Sequence, residues 1–122
     1  MDITVGQSIR TCMLHERGGI KDQITVIRKN ISTFLIVCTG AVEASWIQKH
    51  VPQNGQVVFQ DVTSGTCSIA LIGPKATGVM KSVVQCSELS STWIEGQAKT
   101  LFIEKSSVLA LRGSYGEWRA GS

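Results

Sequence analysis

The stretch Ser8-Ile9-Arg10-Thr11-Cys12-Met13-Leu14-His15-Glu16-Arg17-Gly18-Gly19-Ile20-Lys21-Asp22-Gln23-Ile24-Thr25-Val26-Ile27-Arg28 decides the fold class. Ser8 to Leu14 and Ile20 to Arg28 are rich in β-forming residues, and between them Gly18-Gly19 supplies the positive φ values that a hairpin loop requires. This predicts a β-hairpin. Lys29 to Thr33 forms a second turn, and Phe34-Leu35-Ile36-Val37-Cys38 beyond it is apolar on both faces, as a central strand is.

Further along, Glu43 to His50 reads as a short helix that ends before Pro52, with Val42, Trp46 and Ile47 on its apolar stripe and Trp46 expected in the core. Val57-Val58-Phe59 and Ser68 to Ile72 read as strands on either side of polar Thr63-Ser64-Gly65-Thr66. Gly73-Pro74 breaks the second of them, with Pro74 placed to open a helix. In that helix Ala76, Val79, Met80, Val83 and Val84 fall at i, i+3, i+4, i+7 and i+8, so Val79, Met80 and Val83 are expected to be buried against a sheet. Leu101 to Glu104 and Val108 to Arg112 then flank a turn at Lys105-Ser106-Ser107. The order β-β-β-α-β-β-α-β-β, with short turns between neighbouring strands, predicts an α+β domain. Its sheet is mostly antiparallel and carries two short helices, unlike a doubly wound parallel fold.

A chain of 122 residues makes one small domain, and 43% hydrophobic against 17% charged residues is enough apolar material for a core. The net charge of +3 comes from cations scattered singly or in pairs. Without a stripe of cations to track phosphates, nucleic acid is not an expected partner. The apolar run Phe34 to Cys38 is far shorter than the roughly 20 residues of a membrane helix, so no membrane segment is expected. Met1-Asp2-Ile3-Thr4-Val5-Gly6 has neither a basic nor an apolar leader pattern, so this chain is expected to carry no targeting peptide. Cys12, Cys38, Cys67 and Cys86 sit in apolar stretches without a Cys-x-x-Cys pair, and read as reduced, buried small hydrophobes that bind no metal.

Gly-x-Ser-x-Gly, a phosphate loop and the strand-Gly-x-Gly-x-x-Gly-helix flavin unit are all absent from the sequence, and His15 and His50 read as surface residues. Asp22 is the remaining candidate. Alternation along its strand puts it on the face of Ile24 and Val26, at the edge of apolar surface, where a less screened carboxylate suits an amine or iminium cation. The same spacing also fits a solvated residue that opens the strand beside Lys21.

Cys12-Met13-Leu14, Gly18 to Val26 and Phe34 to Val37, followed by Trp46-Ile47-Gln48-Lys49-His50-Val51-Pro52, Asp61-Val62-Thr63 and Leu71-Ile72-Gly73-Pro74-Lys75-Ala76, resemble in order and spacing the folate-binding aminomethyltransferase domain. That domain occurs in the glycine-cleavage T-protein and in the C-terminal part of dimethylglycine and sarcosine dehydrogenases. The likeness covers about residues 5–117. Lys49-His50-x-Pro52, Asp61-Val62-Thr63 and Ile72-Gly73-Pro74 look most like the pyruvate dehydrogenase phosphatase regulatory subunit, a non-catalytic relative, while the Asp22 stretch looks more like the enzymes.

The resemblance implies part of a T-protein-like folate-binding fold across 1–122. It also implies tetrahydrofolate as cofactor, a small amine as substrate, FAD only in another part of the parent, and the mitochondrial matrix as location. Asp22 would then stabilise the one-carbon cation and help move protons, while Glu117 would accept hydrogen bonds from the pterin beside Tyr115, with Trp118 close by. The alternative, a non-catalytic regulatory domain that binds a partner protein, stays open beside this reading. The departures are a residue missing between Tyr115 and Gly116-Glu117, Thr39-Gly40 where T-proteins have Asn-Ala, and Ile72 where many members have Gln. These departures predict that the isolated chain binds folate weakly or not at all.

Overall fold

A computed structural model describes residues 2–84 and 93–113. In it the chain forms β1 (Ser8–Leu14), β2 (Ile20–Arg28), β3 (Phe34–Val37), α1 (Ala41–His50), α2 (Ala76–Val83), β4 (Ala98–Ile103) and β5 (Ser106–Leu111), with a 3-10 turn at Thr63–Gly65. Strands β1, β2 and β3 form one sheet in that order, and β4 and β5 a second. The architecture is α+β with two helices, as the sequence order predicts.

The β1–β2 loop closes with the His15 amide donating to the Gly19 carbonyl at 3.0 Å and the Gly18 amide to the His15 carbonyl at 2.8 Å. Only Gly18 of the pair adopts positive φ, at 81°. Gly19 serves a different need, since a Cβ there would collide with the His15 ring. Half-buried His15 is therefore part of the loop's packing, where the sequence suggests a simple surface residue.

By its internal contacts the chain divides into two units, Met1–Ile9, Ile27–Leu35 and Ala70–Ser122 forming one, Arg10–Val26 and Ile36–Ile69 the other. The first unit's core is the cluster Val84, Trp93 and Leu101, with Met80, Ile103, Val108 and Ala110 packed against it. Antiparallel register pairs Leu101 with Val108 and Lys99 with Ala110, so one face of the β4–β5 hairpin covers the cluster. Trp93 is fixed at both polar ends. Its Nε1 donates to the Gln97 carbonyl at 3.0 Å, and the Arg112 guanidinium donates to its own carbonyl. At the N-terminal side of this unit, Arg28 donates to Asp2 (3.1 Å) and to the Ile3 and Ile31 carbonyls.

Several expectations are overturned. Val57 to Phe59 and Ser68 to Ile72 form no strand, because no neighbouring backbone pairs with them among the described residues. Val58 and Ile69 are almost fully exposed as a result. On α2, Val79 and Val83 are 47% and 43% exposed, while Met80 packs on the core and Val84, just past the helix, is buried. A two-turn helix buries one ridge, here Ala76, Met80 and Val84 at i, i+4 and i+8, and the neighbouring Val79–Val83 ridge faces outward. Trp46 is only half-buried, under the Lys21 ammonium at 4.4 Å and beside the His50 ring at 4.6 Å, so it is not a core residue. Cys12 and Cys67 are exposed and Cys38 is half-buried, because their stretches lie on partly covered strands or unpaired chain; Cys86 lies outside the described residues.

The last hairpin turn is tighter than the sequence suggests, with Glu104 and Lys105 alone between the strands and Glu104 at φ 55°. No helix among the described residues is long and apolar enough to cross a membrane. Nor is any group of His, Cys, Asp and Glu among them placed to hold a metal ion.

Candidate functional site around Asp22

Asp22 lies near the start of β2, next to β3 in the sheet. It reaches the chain where β3 has ended and α1 has not begun. There Thr39 grips the carboxylate twice: its hydroxyl donates to Oδ1 at 2.6 Å and its amide to Oδ2 at 2.9 Å. The Gln23 amide also donates to Oδ1, at 2.8 Å. These are charge-assisted bonds from preorganised donors.

The local sequence explains the geometry. Thr39 precedes the extended N-cap Gly40, which has no side chain to cap α1, and the Ala44 amide reaches the Gly40 carbonyl at 3.3 Å. Glu43 puts a carboxylate in the first turn, where the helix dipole favours it. Asp22 therefore does what a capping side chain often does, tethering the backbone just ahead of the helix, but from the adjacent strand.

The Thr39 hydroxyl and then its amide hold the Asp22 carboxyl below its ordinary value of 3.8, against a smaller upward push from desolvation, with the Gln23 amide adding to the lowering. Asp22 is thus an anion at neutral pH, partly open to solvent. The arrangement can hold a cation or accept a hydrogen bond. It does not line either of two open depressions in the same unit. One, of about 360 Å³, is bordered by Gln60, Asp61, Ser64 and Thr66; the other, of about 270 Å³, by Gln48, Val51, Val57 and Phe59.

Asp61 is held in a similar way to Asp22. The Thr63 hydroxyl and amide lower its carboxyl, with the amide at 2.9 Å from Oδ1. Both of its partners lie in the turn that Asp61 itself opens, so it serves that turn. Glu117, Tyr115 and Trp118 lie outside the described residues. Thr39, Asp22's principal partner, was visible in the sequence only as a departure from Asn-Ala. A hydroxyl residue between an apolar strand and a helix start is the signal that finds it.

The sequence profile of the GCVT N-terminal domain matches residues 1–117. An aminomethyltransferase of Nostoc sp. is 34% identical over 120 residues, covering 92% of this chain and 31% of that protein. A second aminomethyltransferase, from Chlorobium luteolum, is 34% identical over 82 residues, covering 65% of this chain and 22% of its own length. The mitochondrial pyruvate dehydrogenase phosphatase regulatory subunit of Mus musculus is 29% identical over 112 residues, covering 88% of this chain and 12% of the subunit. No solved structure matches. The chain thus spans less than a third of the length of each of these relatives. By the match over residues 1–117, however, it belongs to the GCVT N-terminal domain family.

Proposed function

We propose that this chain is part of the tetrahydrofolate-binding region of a protein that passes a one-carbon unit from an oxidised N-methyl amine to the folate, in a dimethylglycine or sarcosine dehydrogenase-like parent. The observation that carries the reading is the Asp22 carboxylate, kept ionised by Thr39 and Gln23 within a GCVT N-terminal domain. Its chemistry fits the ligand, because an anion with an acceptor position left over suits a folate N–H or a one-carbon cation. Bound tetrahydrofolate supplies the nitrogens that take up the one-carbon unit. Asp22 supplies fixed negative charge beside that cation and a place for a proton. Glu117 and Tyr115 are proposed to bind the pterin.

FAD does not fit these residues, which hold no Gly-x-Gly-x-x-Gly unit, so the flavin is assigned to another part of the parent. The proposed location is the mitochondrial matrix, and the proposed substrates are folate and a small amine.

The test is calorimetric titration of tetrahydrofolate into the 122-residue chain and its Asp22→Asn variant. Weak, saturable binding that Asp22→Asn abolishes is the expected result. Binding that is unchanged in Asp22→Asn removes the role given to Asp22. A second reading, a non-catalytic regulatory domain that binds a protein, is favoured by the likeness to the phosphatase regulatory subunit. It gains if, in the full parent protein, tetrahydrofolate gives no heat at millimolar concentration and Asp22→Asn changes only stability.

A further inference from the structure

We infer that Thr39 is a positioning residue for Asp22: it fixes the carboxylate by two bonds and leaves a single acceptor position, on Oδ2, open to a ligand. The inference rests on the folate reading for the identity of that ligand, and on geometry alone for the placement of Asp22.

A carboxylate offers roughly four acceptor positions, two on each oxygen. Oδ1 is filled by the Thr39 hydroxyl at 2.6 Å and the Gln23 amide at 2.8 Å, while Oδ2 takes the Thr39 amide at 2.9 Å. Among the described residues, no other donor reaches the carboxylate, and one position on Oδ2 is left. Because Thr39 binds both oxygens, the plane of the carboxylate cannot turn without breaking a bond, so the open position has a set direction.

Asp22 held in this way can meet one N–H or accept one proton. It cannot grip a flat edge that presents two donors, as a free carboxylate does. That limits Asp22 to a single ligand nitrogen and leaves two-donor recognition of a pterin edge to another carboxylate. The lowered carboxyl of Asp22 agrees with this, since its largest causes are the two Thr39 bonds. Nearby Lys21 is already engaged over the Trp46 ring and is not the partner of the carboxylate in this arrangement.

Two substitutions separate the hydroxyl from the backbone. Thr39→Val keeps shape and amide but removes the Oγ1 donor, whereas Thr39→Ser retains it. In the 122-residue chain, labelled for NMR, the wild type is expected to show a scalar coupling across the hydrogen bond from the Thr39 amide nitrogen to the Asp22 carboxyl carbon. This needs no variant, so the test survives if Thr39→Val fails to fold. The Asp22 carboxyl resonance is expected to move in Thr39→Val and to stay in place in Thr39→Ser.

With tetrahydrofolate as probe, the ligand-induced shift of that resonance is expected in wild type and Thr39→Ser, and to need about tenfold more ligand in Thr39→Val, as for loss of one bond to a charged group. An absent coupling, or an Asp22 resonance that ignores Thr39→Val, overturns the inference. If the resonance follows Thr39 as described but no chain responds to tetrahydrofolate, the placement of Asp22 stands and folate binding by this chain is what fails.

Discussion

Apolar residues with β-forming neighbours end in opposite states in different parts of the chain. Val84, Trp93 and Leu101 are buried by the β4–β5 hairpin, whereas Val57–Phe59 and Ser68–Ile72, equally rich in β-forming residues, stay unpaired with Val58 and Ile69 about nine-tenths exposed. The difference lies in the neighbours. The hairpin closes on itself through a two-residue turn and brings Val108 and Ala110 over the cluster, while the other stretches have no adjacent strand among the described residues. β-propensity is realised only where a second strand satisfies the backbone.

The contrast breaks most forcefully at Val84. Val84→Asp places an unpaired charge among Trp93 and Leu101 and is expected to cost more than about 4 kcal/mol, enough to remove cooperative unfolding of the β4–β5 region in urea, while Val83→Asp, one residue away on the exposed ridge, leaves it. Next is Leu101→Ala. With Leu101 only 1% exposed, the cavity is expected to cost about 2–5 kcal/mol in the same urea measurement.

A smaller, pH-dependent effect is expected at the polar site. The Asp22 carboxyl is lowered in the folded chain, so its contribution to stability is present above pH 3.8 and is lost as pH falls toward the folded value. An acid series followed by circular dichroism should therefore be flatter below pH 3.8 in Asp22→Asn than in wild type. The Asp61 contribution, which has the same sign, remains in both. The smallest effect belongs to the unpaired stretch. Ile69→Ser should shift stability by no more than about 0.5 kcal/mol, whereas a loss comparable to Leu101→Ala would mean that the stretch is packed.

The pattern that could be read from the chain follows the same division. The β1–β2 hairpin, β3, both helices and the final hairpin are local structures, set by short loops, Gly18 and the spacing of apolar residues, and each is present, with the final turn at Glu104–Lys105 instead of Lys105–Ser107. Strands at Val57–Phe59 and Ser68–Ile72 were not local in this sense. Their residues carry the propensity but not the identity of a partner, and period alone does not supply one.

On α2 the five-residue stripe was readable, yet which of its two ridges faces the core depends on where β4 and β5 lie. At the site, alternation marks Asp22 as unusual. The bond to Thr39 spans residues 22 to 39 and joins a strand to the chain beyond its neighbour, which no spacing rule reaches. Glu117 and Tyr115 were legible only through the family pattern.

Native-state hydrogen exchange, resolved amide by amide, tests most directly the claim that one region is closed by packing and the Asp22 site by a polar clasp. The slowest exchange is expected in β4 and β5, with protection of the Thr39 amide that disappears in Asp22→Ala and unprotected rates from Cys67 to Ile72. Protection across Cys67–Ile72, or a Thr39 amide that exchanges freely in the wild type, would contradict the claim.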